Sequence, residues 1–142
     1  TAYDPLVVDA CKAVMKLETS RILIVDDEPA VLALIMGFLR NMDLEGEGYN
    51  DSRQALEAFR ATPFPLVITD MKMPGLDGLQ LLQRMREIHP AGKVIMVTGY
   101  GDKEVVMEAL RLGASDFLEK PFELKKFKSA VGLALKHYEE EI

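Results

Sequence analysis

VITDMKMPGLDG, Val67 to Gly78, decides how this chain is read. A run of apolar β-formers, Leu66, Val67 and Ile68, ends in an acid, Asp70. A Met-Pro-Gly turn and a helix start follow at once. A continuous apolar strand belongs in a parallel sheet buried on both faces. The carboxyl edge of such a sheet is where ligands bind. The question is what a carboxylate would do there.

The same pattern recurs on either side. RILIVDDE (21–28) is a β-branched run ending in acids, and PAVLALIMGFLRNM (29–42) reads as a helix with Pro29 in its first turn, where a missing N–H costs nothing. LEGEGYN (44–50) reads as a strand with two glycines and SRQALEAFRATP (52–63) as a short helix. FPLVITD is the third strand. GLDGLQLLQRMREIHP (75–90) is a helix with Leu79, Leu82 and Met85 at helical spacing, stopped before Pro90. KVIMVTGYG (93–101) is a strand. DKEVVMEALRLG (102–113) is a helix with Asp102 as candidate N-cap and Gly113 placed for the C-cap. ASDFLEKP is a fifth strand, and FELKKFKSAVGLALKHY (122–138) a last helix with Phe127, Val131, Ala134 and Tyr138 along one face. Five strands alternating with five helices predict an α/β fold, a doubly wound parallel sheet with helices on both faces.

Residues 1–19 stand outside this alternation. Leu6, Val7, Ala10, Cys11, Val14 and Met15 recur at helical spacing and predict an amphipathic helix from about Pro5 to Leu17. The organisation expected is therefore an N-terminal helical extension, 1–19, and one globular domain, 20–142.

Composition narrows the function classes. Hydrophobic residues at 49% and charged residues at 28% fit a globular domain. A net charge of −6 argues against nucleic acid as a direct ligand. Cys11 is the one cysteine, so no internal disulfide forms and a reducing compartment, the cytoplasm, is expected. No apolar run is long enough to span a bilayer, so no membrane partner is expected. The chain begins with Thr1, as a fragment or trimmed chain would.

The strand tips hold the chemistry. Asp26 and Asp27 close the first strand, Asp70 the third, Thr98 the fourth and Lys120 the fifth. All would project into one crevice. Three carboxylates that close repel one another and call for a cation. An oxygen-rich set without His or Cys suits Mg²⁺. Lys120 supplies a mobile positive charge and Thr98 a hydroxyl donor. Together these groups are what phosphoryl transfer to an acid requires. Asp70 would sit at a strand tip because it must be rigidly aimed beside the metal.

With ILIVDDE (22–28), VITDMKMPGLDG (67–78), VIMVTGYGD (94–102) and ASDFLEKPF (114–122) in this order, the sequence resembles the receiver domain of bacterial two-component response regulators. The likeness covers Arg21 to about Tyr138. The stretch from Val97 to Phe122 looks most like receivers of nitrogen-regulation and nitrogen-fixation regulators. The resemblance implies a flavodoxin-like sheet of order 2-1-3-4-5 and a phosphorylation switch. Asp70 would accept a phosphoryl group from a sensor histidine kinase. Asp27 would ligate Mg²⁺ directly, Asp26 through water, and Lys72 by its backbone carbonyl. Thr98 and Lys120 would contact the phosphoryl group, and Pro121 would follow a cis peptide. Thr98 and Phe117 would form the switch pair, reporting to the face of the fourth helix, fifth strand and fifth helix. That face would engage an output domain or downstream partner, in a transcriptional setting, and support a homodimer on phosphorylation. Lys72 and Tyr100 would overhang the site and tune the lifetime of the modification. Such a domain is no enzyme towards a separate substrate; it catalyses only its own phosphoryl transfer and dephosphorylation.

Other readings were weighed. A Mg²⁺-dependent phosphohydrolase of the haloacid-dehalogenase type needs an acid two residues after its nucleophile, where this chain has Lys72. A phosphorylation-independent pseudo-receiver would have lost an acid, the threonine or the lysine. A flavin-binding protein would need a Ser/Thr/Gly-rich phosphate loop where DDEPA stands. Glu28 reads as a solvated neighbour, and His89 and His137 as surface histidines.

Overall fold

A computed structural model describes residues 21–99 and 103–141. The predicted N-terminal helix, Tyr100 and the candidate N-cap Asp102 lie outside the described residues. The strands are β1 (Arg21–Val25), β2 (Glu45–Tyr49), β3 (Leu66–Asp70), β4 (Lys93–Thr98) and β5 (Asp116–Glu119). The helices are α1 (Pro29–Asn41), α2 (Ser52–Ala61), α3 (Gly78–Ile88), α4 (Lys103–Arg111) and α5 (Leu124–Glu141). The strands form one sheet in the order β2-β1-β3-β4-β5, every pair parallel.

Alternation along the strands divides the core in two, because successive side chains point to opposite faces. Leu23, Val25, Val67, Val94 and Met96 face α2, α3 and α4, where they meet Leu56, Phe59, Leu81, Leu82 and Met85. Ile22, Ile24, Leu66, Ile68, Ile95 and Val97 face α1 and α5, where they meet Ile35, Leu39, Phe127 and Val131. Phe38 of α1 lies 5.3 Å from the Phe127 ring of α5 and 6.2 Å from Phe122, joining these helices across one face. The α5 face read from the sequence is the buried one: Phe127, Val131, Ala134 and Tyr138 are all inside. In α3 the centre of the buried stripe is Leu81, with Leu82 and Met85, while Leu79 sits at its margin.

Several expectations change. Strand β1 stops at Val25 and β5 at Glu119, so Asp26, Asp27 and Lys120 follow their strands instead of closing them. His89 is not a free surface histidine. It caps the end of α3, is half-buried, and its Nε2 lies 3.3 Å from the Tyr138 hydroxyl. Close by, Lys93 Nζ donates to Glu141 Oε1 at 2.6 Å, which holds the Glu141 carboxyl below its usual range. These contacts pin the end of α5 to the amino edge of the sheet.

The helix starts are well specified. Asp51 accepts from Arg53 N and Gln54 N at the start of α2. Asp77 and Gln80 make a reciprocal capping box at the start of α3. Gly78, the first residue of α3, rests directly on the backbone that carries Asp70. A Cβ there would lie 2.6 Å from the Asp70 carbonyl oxygen and 2.7 Å from Met71 Cα. Main-chain atoms cannot swing aside, so Gly78→Ala must push α3 off β3. Overpacking of this kind costs roughly 1–3 kcal/mol or more. Urea denaturation should show that loss, and an unchanged midpoint would refute the close approach.

Candidate functional site

The strand order reverses between β1 and β3, and the carboxyl ends of these two strands hold the acids. Asp70 is the last residue of β3 and is 7% exposed. Asp26 follows β1 and is 1% exposed. Asp27 and Glu28 are exposed beside them. Asp26, Asp27, Glu28 and Asp70 each bring a carboxylate oxygen into one group whose atoms lie within 4.8 Å of one another. Glu28, read from the sequence as a solvated neighbour, is exposed and also brings an oxygen into this group.

Lys120 is the cation against these acids. Its Nζ lies 3.5 Å from Asp26 Oδ2, 3.5 Å from Asp70 Oδ2 and 3.7 Å from Glu28 Oε1. These are ion pairs at the long end of the range. The Lys120–Pro121 peptide is cis. The Lys120 N–H donates to the Thr98 carbonyl at 2.8 Å, which fixes the lysine at the end of β4. Burial works to lower the lysine pKa, but Asp70, Asp26 and Glu28 outweigh it and hold it above the ordinary value. The ammonium therefore stays charged across the neutral range.

Asp26 is under opposite pressure. Burial pushes its carboxyl pKa up. The Glu28 backbone N–H, donating to Asp26 Oδ1 at 2.8 Å, works against that rise, the Asp70 charge adds to it, and Lys120 opposes it. The balance stays above the usual carboxylate range. Among the described residues Asp26 Oδ2 is buried with no hydrogen-bond partner, only the long ion pair to Lys120, and Thr98 Oγ1 at the tip of β4 has no hydrogen-bond partner either. A buried polar atom without a partner is costly. An all-oxygen donor set whose buried carboxylate oxygen has only a long ion pair to Lys120 fits a hard divalent cation. Thr98 Oγ1 is in turn a hydroxyl free to donate to an anion.

A cleft of about 330 Å³ opens over the group, lined by Asp27, Glu28, Asp70, Met71, Lys72, Gly99 and Lys120. The Lys72 backbone N–H approaches Asp70 Oδ1 at 3.4 Å, and its side chain is exposed. Phe117 stands apart from the acids. It is half-buried and lines a second, apolar pocket with Thr98, Val106, Met107 and Leu110. The structure thus brings Asp26, Asp27, Asp70 and Lys120 to one point, with Thr98 and Phe117 leading from it towards α4.

Residues 22–132 match the response regulator receiver domain. The chain belongs to the response regulator receiver family. It is 37% identical over 120 residues to the response regulator protein PilR of Pseudomonas aeruginosa, covering 84% of this chain and 27% of PilR. It is 36% identical over 121 residues to the transcriptional regulatory protein FixJ of Bradyrhizobium diazoefficiens, covering 83% of this chain and 58% of FixJ. It therefore spans less than two thirds of either relative. Among solved structures it resembles the NtrX receiver domain of Brucella abortus (TM-score 0.78, 37% identity, 81% of this chain and 98% of that one). It also resembles the beryllofluoride-activated NtrC4 receiver domain dimer (TM-score 0.80, 29% identity, 84% and 98%). Receivers are signalling modules, and the subgroup expected from Val97 to Phe122 is the one found. No helix among the described residues is long and apolar enough to cross a membrane.

Proposed function

We propose that this receiver is a phosphorylation switch whose acceptor is Asp70 and whose donor is a phosphohistidine on a sensor kinase. One observation carries the reading. A nearly buried carboxylate at the β3 tip shares a lysine, at 3.5 Å, with a second buried carboxylate, and a partnerless threonine hydroxyl stands on the next strand. A carboxylate oxygen of Asp70 attacks phosphorus. The P–N bond of the donor breaks, and the imidazole leaves with the electron pair and takes up a proton. Lys120 pairs with the phosphoryl oxygens, and Thr98 Oγ1 donates to one of them. Asp27, Asp70 and the Lys72 carbonyl would hold Mg²⁺, with Asp26 acting through water. The bound ion would neutralise charge on the transferred group. No separate substrate is turned over.

Thr98 lies in the same pocket as Phe117, so drawing the hydroxyl towards a phosphoryl group changes the space beside the ring. The face of α4, β5 and α5 is the output face in this reading, and it exposes Met107 and Leu110. Dimerisation of the phosphorylated form through this face, control of an output domain in transcription, and a cytoplasmic setting follow from the regulators it resembles. Lys72, at the mouth of the cleft, and Tyr100 would limit the access of attacking water.

The test is incubation with acetyl phosphate, with and without Mg²⁺, read by intact mass. A gain of one phosphoryl group that requires Mg²⁺ is expected. A protein that neither gains the group from acetyl phosphate or a kinase nor binds Mg²⁺ would be a binding module instead.

A further inference from the structure

We infer that Ser52, far from the acids in sequence, is a positioning residue for the divalent cation and so for phosphoryl uptake at Asp70. This rests on the function proposed above. Ser52 opens α2 and is 1% exposed. Its hydroxyl is not needed as a helix cap, because Asp51 already accepts from Arg53 N and Gln54 N. Instead Ser52 Oγ accepts a hydrogen bond from Leu76 N at 3.1 Å, across 24 positions of sequence.

Leu76 belongs to the loop between Asp70 and Gly78. At one end of that loop the Lys72 N–H faces Asp70 Oδ1, and Gly78 N donates to Met71 O at 2.9 Å. Among the described residues no other hydrogen bond holds residues 73–76. Gly75 adopts a positive φ of 83°, and a Cβ there would lie 3.6 Å from Ser52 Oγ. That distance is ordinary van der Waals contact, so it is the left-handed backbone at Gly75, and not the space beside Ser52, that calls for glycine. The loop carries the Lys72 carbonyl, the main-chain oxygen proposed for the cation. The Gly78 N–H closes the base of the loop on Met71 O, and Ser52 ties its outer part at Leu76, so the orientation of that carbonyl relative to Asp70 depends on both ties. Outer hydrogen bonds of this kind orient ligating groups and tune metal affinity.

The test compares wild type, Ser52→Ala, Ser52→Thr and Asp51→Ala. Mg²⁺ affinity is measured by calorimetry and uptake from acetyl phosphate by mass. Loss of one net hydrogen bond corresponds to roughly a threefold to tenfold change in an equilibrium constant. Ser52→Ala should weaken Mg²⁺ by that factor and slow uptake at limiting Mg²⁺, with the rate restored at saturation. Ser52→Thr keeps the hydroxyl and should bind Mg²⁺ like wild type. Asp51→Ala should lower the melting temperature and leave Mg²⁺ affinity alone. An unchanged Mg²⁺ affinity in Ser52→Ala overturns the inference, as does an equal loss in Asp51→Ala, which would make the effect general instability. If the extra methyl of threonine prevents folding, amide exchange at Leu76 replaces that arm. Faster exchange in Ser52→Ala together with weaker Mg²⁺ supports the tie, and faster exchange with unchanged Mg²⁺ affinity overturns it. A wild type that binds no Mg²⁺ and takes no phosphoryl group would defeat the proposed function itself.

Discussion

Asp70→Asn is expected to abolish phosphoryl uptake while leaving a folded domain. The amide has nearly the shape of the carboxylate, so the β3 tip keeps its packing. It lacks the anionic oxygen that attacks phosphorus, and no other acid is both at a strand tip and in contact with Lys120 at 3.5 Å, apart from Asp26. Asp26 cannot substitute readily. It is 1% exposed, against 7% for Asp70, so a phosphoryl donor reaches it less readily. Lys120 retains Asp26 and Glu28 as partners in the variant, so the lysine is not stranded. Intact mass after acetyl phosphate and Mg²⁺ should show one adduct in wild type and none in Asp70→Asn. Far-ultraviolet circular dichroism should overlay. A full adduct in the variant would move the acceptor to another side chain and undo the site as assigned.

The fold was largely legible because it obeys short-range rules. A strand buried on both faces must be apolar throughout, and ILIV, LVI and VIMV say so without reference to the rest of the chain. The acids were legible for the complementary reason. A carboxylate after such a run is costly to bury alone, so it marks a strand end where other polar groups gather, and Asp26 and Asp70 are buried there against Lys120. What could not be read depends on approach across the sequence. Ser52 meets Leu76 because α2 and the β3–α3 loop lie side by side, which no local pattern encodes. His89 meets Tyr138 over 49 positions, and on its own it reads as an ordinary polar residue before a proline. Gly78 falls within the stretch read as a helix and carries no signal of its own. Its role appears only when a Cβ is placed against the Asp70 backbone. Glu28 enters the acidic group because α1 begins where β1 ends and both turn towards Lys120, a matter of loop direction more than of residue type.

Asp26→Asn is expected to raise stability in the absence of divalent cations and to remove most of the response to them. In the wild type, Asp26, Glu28 and Asp70 share the Lys120 ammonium with Asp27 beside them, and among the described residues the buried Asp26 Oδ2 makes no hydrogen bond. Burial, with the Asp70 charge, raises the Asp26 pKa above the usual carboxylate range, so folding favours the protonated form. The sign follows from linkage. A group whose folded pKa lies above its unfolded value contributes no penalty below the unfolded pKa. It destabilises progressively as pH rises from the unfolded towards the folded pKa, and the penalty is full above the folded pKa. Asparagine carries no charge at any of these pH values, and its carbonyl can still accept from the Glu28 N–H. Removing that penalty should raise the melting temperature in the absence of divalent cations. The gap between variant and wild type should be widest near neutrality and close as the pH falls into the carboxylate range. Mg²⁺ acts on the same penalty from the other side. At a hundredfold excess over its dissociation constant it should stabilise the wild type by about 2.7 kcal/mol, and the variant, with one carboxylate fewer, by much less. Melting curves at several pH values, with and without Mg²⁺, measure all of this. A variant less stable than wild type at neutral pH would mean that Lys120 already compensates Asp26, and the acidic group would then need no cation to explain it.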